Sequence, residues 1–530
     1  MMKRPGLGLG ALLCLSCFCR APEIFADAHY DYLCKDVKRP LFFVQSVSDD
    51  GSRTLRTNRD GATGSHFFLP KPKHVKRIFV VGESAAQILK RGNDGDALSR
   101  FLRAASPQWR PEHINCGMGA YNSNRIAAVS EEVLGYEPDA LVVLSGNNES
   151  PGFEPCPDVL TWIRYKWAEF TGWEASGTAV HEANLRRMAR SAKKRGIPIV
   201  LCTLPVNLRD YVPWGGAPVS SPLFVSALAA MEKAKYAEAA ASLNEALEHD
   251  QRNPFLHYFM GRCLERSGNI AEARVHYQLS VETDPYQERC STKRNEMIRQ
   301  VAAEEGAILA DLEAAFEAVA AGGLVGDGLI ADGVHWHARY NQLAACVIGD
   351  SLFHGNSGPI AARMCAKARH PASSSESVGE ETKMILRYGL RYLDRWAGEN
   401  PDGDILELGI EMLSRVNARD GALLPRIAES RSSLAGVVAS NFWTGDINGN
   451  INRWRPVFLQ HLAEMYRREG DAAAATRYLN EAVRLAPDRY MMRLYRGLAY
   501  ASAGQKSLAA ADFESLMPYK KKHPEIAYFP

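Results

Sequence analysis

At 530 residues the chain is longer than one ordinary hydrophobic core fills, so two or three domains are expected. With 46% hydrophobic and 23% charged residues the composition is globular, which excludes a chain disordered throughout. Lys and Arg total 63 against 61 for Asp and Glu, a net charge of +2 that gives no ground for nucleic acid or an anionic surface as partner.

The first 28 residues read as an export signal. Lys3 and Arg4 precede an apolar run over 7–19, and Ala26-Asp27-Ala28 supplies the small residues that a signal peptidase needs. The run is short for a membrane span, and an uncleaved anchor is the alternative reading; no other segment reads as transmembrane. The expected location is therefore the periplasm, the envelope or the exterior, with membrane attachment only through the N-terminus. Residues 29–75 form a lead-in with a β-hairpin: Leu41-Phe42-Phe43-Val44, a turn at Asp49-Asp50-Gly51-Ser52, then Thr54-Leu55-Arg56-Thr57.

From residue 76 strand and helix patterns alternate, with strands expected at 77–81, 113–116, 140–144 and 198–204 and a helix-like run over 85–103. Such alternation predicts an α/β fold, a parallel sheet with helices on both faces. The first strand stops on Gly82-Glu83-Ser84, leaving a hydroxyl at a helix start. Taken alone, such a Ser reads as an N-cap.

The alternation breaks over 224–285, where the pattern is helical and repeats every 34 residues, from Ala227 to Gly261. Ala239, Leu243 and Ala246 likewise correspond to Ala273, Tyr277 and Ser280. Small residues at matched positions let paired helices approach, and bulky ones fill the groove, as in tetratricopeptide repeats. A fifth strand at 307–311 resumes the sheet, so the core comprises 76–223 and 286–355. Between repeats and strand lies Arg289-Cys290-Ser291-Thr292-Lys293-Arg294-Asn295-Glu296, read as a solvated helix start, with a polar wall of the pocket as the alternative.

Residues 356–381, with Ser373-Ser374-Ser375-Glu376-Ser377, read as a linker. The remainder, 382–530, is helical, and Ala463, Ala475, Leu479, Ala482 and Pro487 open a second repeat pair that continues at Gly497, Ala509 and Phe513. Two pairs predict a solenoid-like surface suited to a protein partner. The stretch 441–452 reads as a loop, since it lacks the alternating ligands and terminal Glu of a calcium site. The eight cysteines beyond the signal show no metal-type spacing, and no metal or cofactor is expected; Cys202 and Cys263 read as small core residues.

Four stretches in fixed order carry the chemistry: Gly82-Glu83-Ser84, Asn115-Cys116-Gly117-Met118-Gly119-Ala120-Tyr121-Asn122-Ser123, Gly146-Asn147-Asn148-Glu149 and Asp332-Gly333-Val334-His335. Together they resemble the blocks of the SGNH (GDSL-like) hydrolases, in particular a bacterial subgroup carrying tetratricopeptide repeats. The resemblance covers about 76–352 with the repeats set aside. It implies a three-layer, flavodoxin-like parallel sheet with the repeats inserted in it and following it.

It also implies Ser84 as nucleophile, His335 as general base and Asp332 as the group that orients the base. The implied oxyanion donors are the Ser84 amide, a backbone amide of the second block and the Asn148 side chain. Here the chain departs from the pattern, because Ala120 stands where the family has a donating Gly. A negative φ suits Ala120 as the donor, whereas a turn that needs a positive φ favours Gly119. Glu83 replaces the usual Asp. His337 is a second imidazole close to His335.

The implied substrate is a short-chain acyl ester, acetyl among the candidates, with a saccharide as the alcohol. Two further readings stay open: an O-acyltransferase using the same residues with water kept from the acyl-enzyme, and an envelope scaffold whose hydrolase core is vestigial.

Overall fold

The computed structural model describes residues 41–48, 51–59, 62–90, 96–149, 174–211, 213, 222–232, 234–284, 288–326, 328–330, 333–354, 409–410, 413–414, 416–418, 420–429 and 444–519. The export segment, the linker 356–381, Asp332, Cys34, Cys156 and Cys365 lie outside the described residues.

Three short strands, β1 (Phe43–Val47), β2 (Arg53–Thr57) and β3 (His66–Leu69), pair antiparallel in that order. The expected hairpin is thus two-thirds of a small sheet. Its third strand is only four residues long, too short to show a period in the sequence. Phe43 packs edge-on against Phe79 and Tyr136 of the core, and Phe67 edge-on against Phe79 and tilted against Tyr136. The buried Arg77 guanidinium fastens the two sheets: it donates to the Phe68 and Tyr136 carbonyls and pairs with Glu112 at 2.6 Å.

The main sheet holds β4 (Val75–Gly82), β5 (Arg110–Gly117), β6 (Ala140–Leu144), β7 (Ile199–Cys202) and β8 (Ile308–Ala310). All pairs are parallel, in the order β5-β4-β6-β7-β8. In chain order this is 2-1-3-4-5, a doubly wound arrangement whose switch point lies between the first and third strands, at β4 and β6. Apolar β-branched runs such as Leu141-Val142-Val143-Leu144 are buried on both faces, as a central parallel strand requires.

Helices cover both faces. One layer holds α3 (Ser123–Val133) and α4 (Glu174–Lys194), joined later by α9 (Thr292–Glu305); α2 (Ala97–Ala105) and α11 (Asn341–His354) pack together on the other. This is the three-layer architecture that the resemblance implies. The helix-like run after Ser84 is split, however. It forms α1 (Ser84–Ile88) and then α2, which has its own N-cap, the Asp96 carboxylate accepting from the Ser99 amide. The sequence Gly92-Asn93-Asp94-Gly95 between them is rich in helix breakers.

Four antiparallel helices interrupt the core after β7: α5 (Pro222–Glu232), α6 (Tyr236–His249), α7 (Pro254–Arg266) and α8 (Ile270–Thr283). The short α10 (Leu312–Val319) follows β8, and α12 (Leu423–Glu429) precedes the C-terminal helices. Those are α13 (Thr444–Arg468), α14 (Ala472–Leu485), α15 (Tyr490–Ser502) and α16 (Lys506–Ser515). The stretch 441–452, expected to be a loop, is helical from Thr444. Its Asn and Gly residues disfavour a helix, but the apolar second half of α13 packs on α14, and tertiary packing overrides propensity. None of the described helices is long and apolar enough to cross a membrane.

Both repeat pairs use the same contact. A Cβ on Gly261 would lie 2.8 Å from the Tyr277 ring, and one on Gly497 2.5 Å from the Phe513 ring, each aromatic 16 residues after its Gly. Gly497→Val is therefore expected to overpack the α15–α16 seam and destabilise it by about 1–3 kcal/mol. The readout is proteolytic cleavage within 490–519, which should quicken. An unchanged rate would mean that Phe513 swings aside without cost.

Candidate active site

Ser84 stands just beyond the carboxyl end of β4, the strand beside central β6. Its neighbour Glu83 occupies the N-cap position of α1 and makes no side-chain cap bond, so Ser84 is not the helix cap. Its hydroxyl faces elsewhere: Ser84 Oγ and His335 Nε2 are 2.6 Å apart, across 251 residues of sequence. Ser84 is 4% exposed, and His335 is half-buried.

The His335 loop is held from both sides. An isolated antiparallel bridge joins Ile330 to Trp336, and the Trp336 indole donates to Asn341 Oδ1 at 2.8 Å. Asn341 Nδ2 in turn donates to the Ile88 carbonyl at 2.7 Å, which ties this loop to the helix that carries Ser84. On the other side the Asn207 amide donates to the Gly333 carbonyl at 2.9 Å. The His337 amide closes the loop by donating to Leu329; of the two imidazoles, His335 is the one on Ser84.

The second block lies beside Ser84. Asn115 Nδ2 donates to the Ala86 carbonyl and its Oδ1 accepts from the Gly117 amide. A Cβ on Gly117 would lie 2.5 Å from the Gln87 amide nitrogen, so only Gly lets the two segments meet here. Ala120 has φ +58°, and Gly119 is not among the positive-φ glycines. The condition set for Ala120, a negative φ, is therefore not met. The left-handed conformation falls on the residue that stands where the family has Gly, and Ala adopts it at a cost of about 1 kcal/mol. By the condition set above, the positive φ at Ala120 makes Gly119 the favoured candidate for the backbone donor of this block.

The third block is fastened from below by two acidic side chains. Glu83 is fully buried and accepts from the amides of Asn147 (3.2 Å) and Asn148 (3.3 Å) and from Asn147 Nδ2. Glu149 accepts from the Ser123 amide and hydroxyl at 3.0 and 2.7 Å and from the Ser145 hydroxyl at 3.1 Å. Asn148 Nδ2 donates to the Tyr121 carbonyl at 3.1 Å, placing this amide group against the second block.

Burial, reinforced by the nearby Glu149 carboxylate, pushes Glu83 up from 4.5 to about 8, although the amide donors oppose the rise. Folded protein thus holds a proton that the unfolded chain has already released. Stability from this group is full below the ordinary value and is lost as pH rises towards 8. The melting temperature is expected to fall by several degrees between about pH 5 and pH 8, and Glu83→Gln to flatten that slope. An unaltered slope in the variant would assign the dependence to other groups.

Asp332 lies outside the described residues, so the structure brings together Ser84 and His335, with Ala120 and Asn148 on the adjoining blocks. The segment 289–296 differs from its expected solvated character: Arg289, Cys290, Arg294 and Asn295 are all buried. Alternation of charge suggested a surface. The cause of burial is a set of carbonyl and amide partners from loops far away in sequence, described below. Cys116, Cys202, Cys263, Cys290 and Cys346 are buried.

A family model for the tetratricopeptide repeat matches residues 224–288 and 462–518, which take in nearly all of α5–α8, the end of α13 and the whole of α14–α16. The chain carries tetratricopeptide repeats. No curated protein matches it. Among solved structures it is similar to a GDSL-like lipase from Bacteroides thetaiotaomicron, at 13% identity and a TM-score of 0.28 over 52% of this chain and 87% of that one. A variant of an acetyl xylan esterase from Geobacillus stearothermophilus matches at 14% identity and 0.28, over 53% and 94%. An α/β hydrolase from the metagenome of Lake Arreo, Spain, matches at 15% and 0.29, over 53% and 97%. At these TM-scores the likeness carries none of the functional argument.

Proposed function

We propose that the protein is an exported serine esterase that hydrolyses a short-chain acyl ester, acetyl on a saccharide being the leading case. The observation that carries the reading is the 2.6 Å contact of His335 Nε2 with Ser84 Oγ at the carboxyl end of β4, beside the switch point of the sheet. Ser84 Oγ attacks the ester carbonyl while His335 Nε2 takes its proton. The tetrahedral intermediate places its oxyanion near the Ser84 amide, the second-block amide and Asn148. Collapse expels the sugar hydroxyl, which takes the proton from His335. Water then attacks the acyl-enzyme, giving its proton to the same nitrogen, and Ser84 leaves with that proton. Asp332, three residues before His335 in the sequence, orients the imidazole and stabilises its cation. The acyl length, the saccharide and the roles of Asp332, Ala120 and Asn148 follow the resemblance of the four blocks; the signal-like N-terminus supports export.

The test is the intact mass of the mature chain after treatment with a serine-directed phosphonate, with Ser84→Ala as control. One adduct per chain, absent from the variant, is expected. A folded protein that takes no adduct would overturn the esterase reading and leave the repeats as the functional surface.

A further inference from the structure

The repeat insertion is joined to the core through a stem at 203–211 and another at 284 and 288–291, and each stem is hydrogen-bonded to an active-site loop. On the way in, Asn207 donates its amide to the Gly333 carbonyl at 2.9 Å, two residues before His335. Tyr211 lies beneath the same turn: a Cβ on Gly333 would sit 3.0 Å from its ring. On the way out, the Cys290 amide donates to Asn147 Oδ1 at 2.8 Å. Four residues on, Arg294 Nη1 donates to the Gly146 carbonyl at 3.2 Å. Gly146 has φ +152°, and a Cβ there would lie 2.7 Å from Cys290 Sγ, so the exit stem is seated on the backbone of the third block.

The stems are joined to each other by Arg289, which is 3% exposed. Its Nη1 donates to the carbonyls of Asn207 (3.0 Å) and Tyr211 (3.1 Å), its guanidinium lies 4.9 Å from the centre of the Tyr211 ring, and Nη2 is 3.8 Å from Asp284 Oδ2. Asn295 adds a second tie, exchanging two hydrogen bonds with the backbone of Leu204. A buried guanidinium that satisfies two main-chain carbonyls fixes their spacing, because its donors form a rigid planar fork.

We propose that Arg289 is a positioning residue that sets the His335 loop in register with the Asn148 loop, so that the repeat insertion is part of the catalytic frame. It touches neither Ser84 nor His335. It acts through Asn207 and Tyr211 on one loop and through the adjoining Cys290 on the other. Only the kinetic arm of the test rests on the esterase reading.

The experiment compares wild type, Arg289→Met and Arg289→Lys by hydrogen exchange of peptides covering 143–149 and 328–337, with 97–105 as the internal control, and by turnover of a short-chain ester. In Arg289→Met, exchange is expected to quicken in both loops and not in the control. The kcat should fall about 10- to 100-fold with KM changed less than about threefold, as loss of alignment alone produces. Arg289→Lys should recover part of both effects. Unchanged exchange in both loops of the folded Met variant would overturn the proposal, as would loosening spread equally over the control. Wild type that turns over no ester, with loops that still loosen in the variant, would remove the esterase reading and keep the brace.

Discussion

Ser84→Ala is expected to lower kcat on a short-chain ester by about 10⁴- to 10⁶-fold, and His335→Ala by a similar factor. Two features of the site set this size. Oγ is the group that bonds to the acyl carbon, so nothing in the variant replaces it. Its proton has one described imidazole nitrogen within 2.6 Å, so without His335 the hydroxyl stays un-ionised near neutral pH. Because the two act as one unit, the double variant should be no slower than the worse single one, and residual turnover should reflect binding and the oxyanion donors. Steady-state kinetics at several ester concentrations measures this. A His335→Ala enzyme within about tenfold of wild type would mean that another base serves Ser84, and His337 would be the first to replace.

The sequence showed where Ser84 lies because it sits at the end of a strongly patterned element, whereas His335, on a loop that no period marks, was singled out by the resemblance of its block. An apolar β-branched run cannot be left in water, and its stop on Gly82-Glu83-Ser84 fixes the place of the turn. The same reasoning located β6 and β7, since a strand buried on both faces has to be apolar along its length, whereas the edge strands β5 and β8 were placed by the alternation of strand and helix. The repeats were legible for another reason. Small residues must recur wherever helices meet closely, and Gly261 and Gly497 both lie under aromatic rings.

What the pattern did not show is the layer beneath the site. Arg289, Arg294, Glu83 and Glu149 are polar residues, whose burial depends on partners contributed by distant loops. Arg289 and its acceptor Asn207 are separated by the whole repeat insertion. No local period encodes such a pairing, and a charged run is ordinarily solvated. The left-handed φ of Ala120 was hidden likewise, because Ala is the residue least marked for a turn. The third lead-in strand was missed because four residues of alternating burial give too short a period to detect.

Asn148→Ala is expected to lower kcat by about 10²- to 10³-fold with KM little changed, the loss typical of one oxyanion donor. The side-chain amide is buried, and its nitrogen lies 3.1 Å from the Tyr121 carbonyl, so it touches the second block, the proposed source of the backbone donor. The Asn148 amide is itself fixed on Glu83, next to Ser84, which keeps the loop in place when the side chain is cut back. An interaction made only with the developing oxyanion lowers kcat and kcat/KM by the same factor. That equality separates two roles. If KM rises while kcat holds, Asn148 binds the ground-state ester. If both stay within about threefold of wild type, the bond to Tyr121 is its whole purpose, and stabilisation of the oxyanion falls to the amides of Ser84 and the second block.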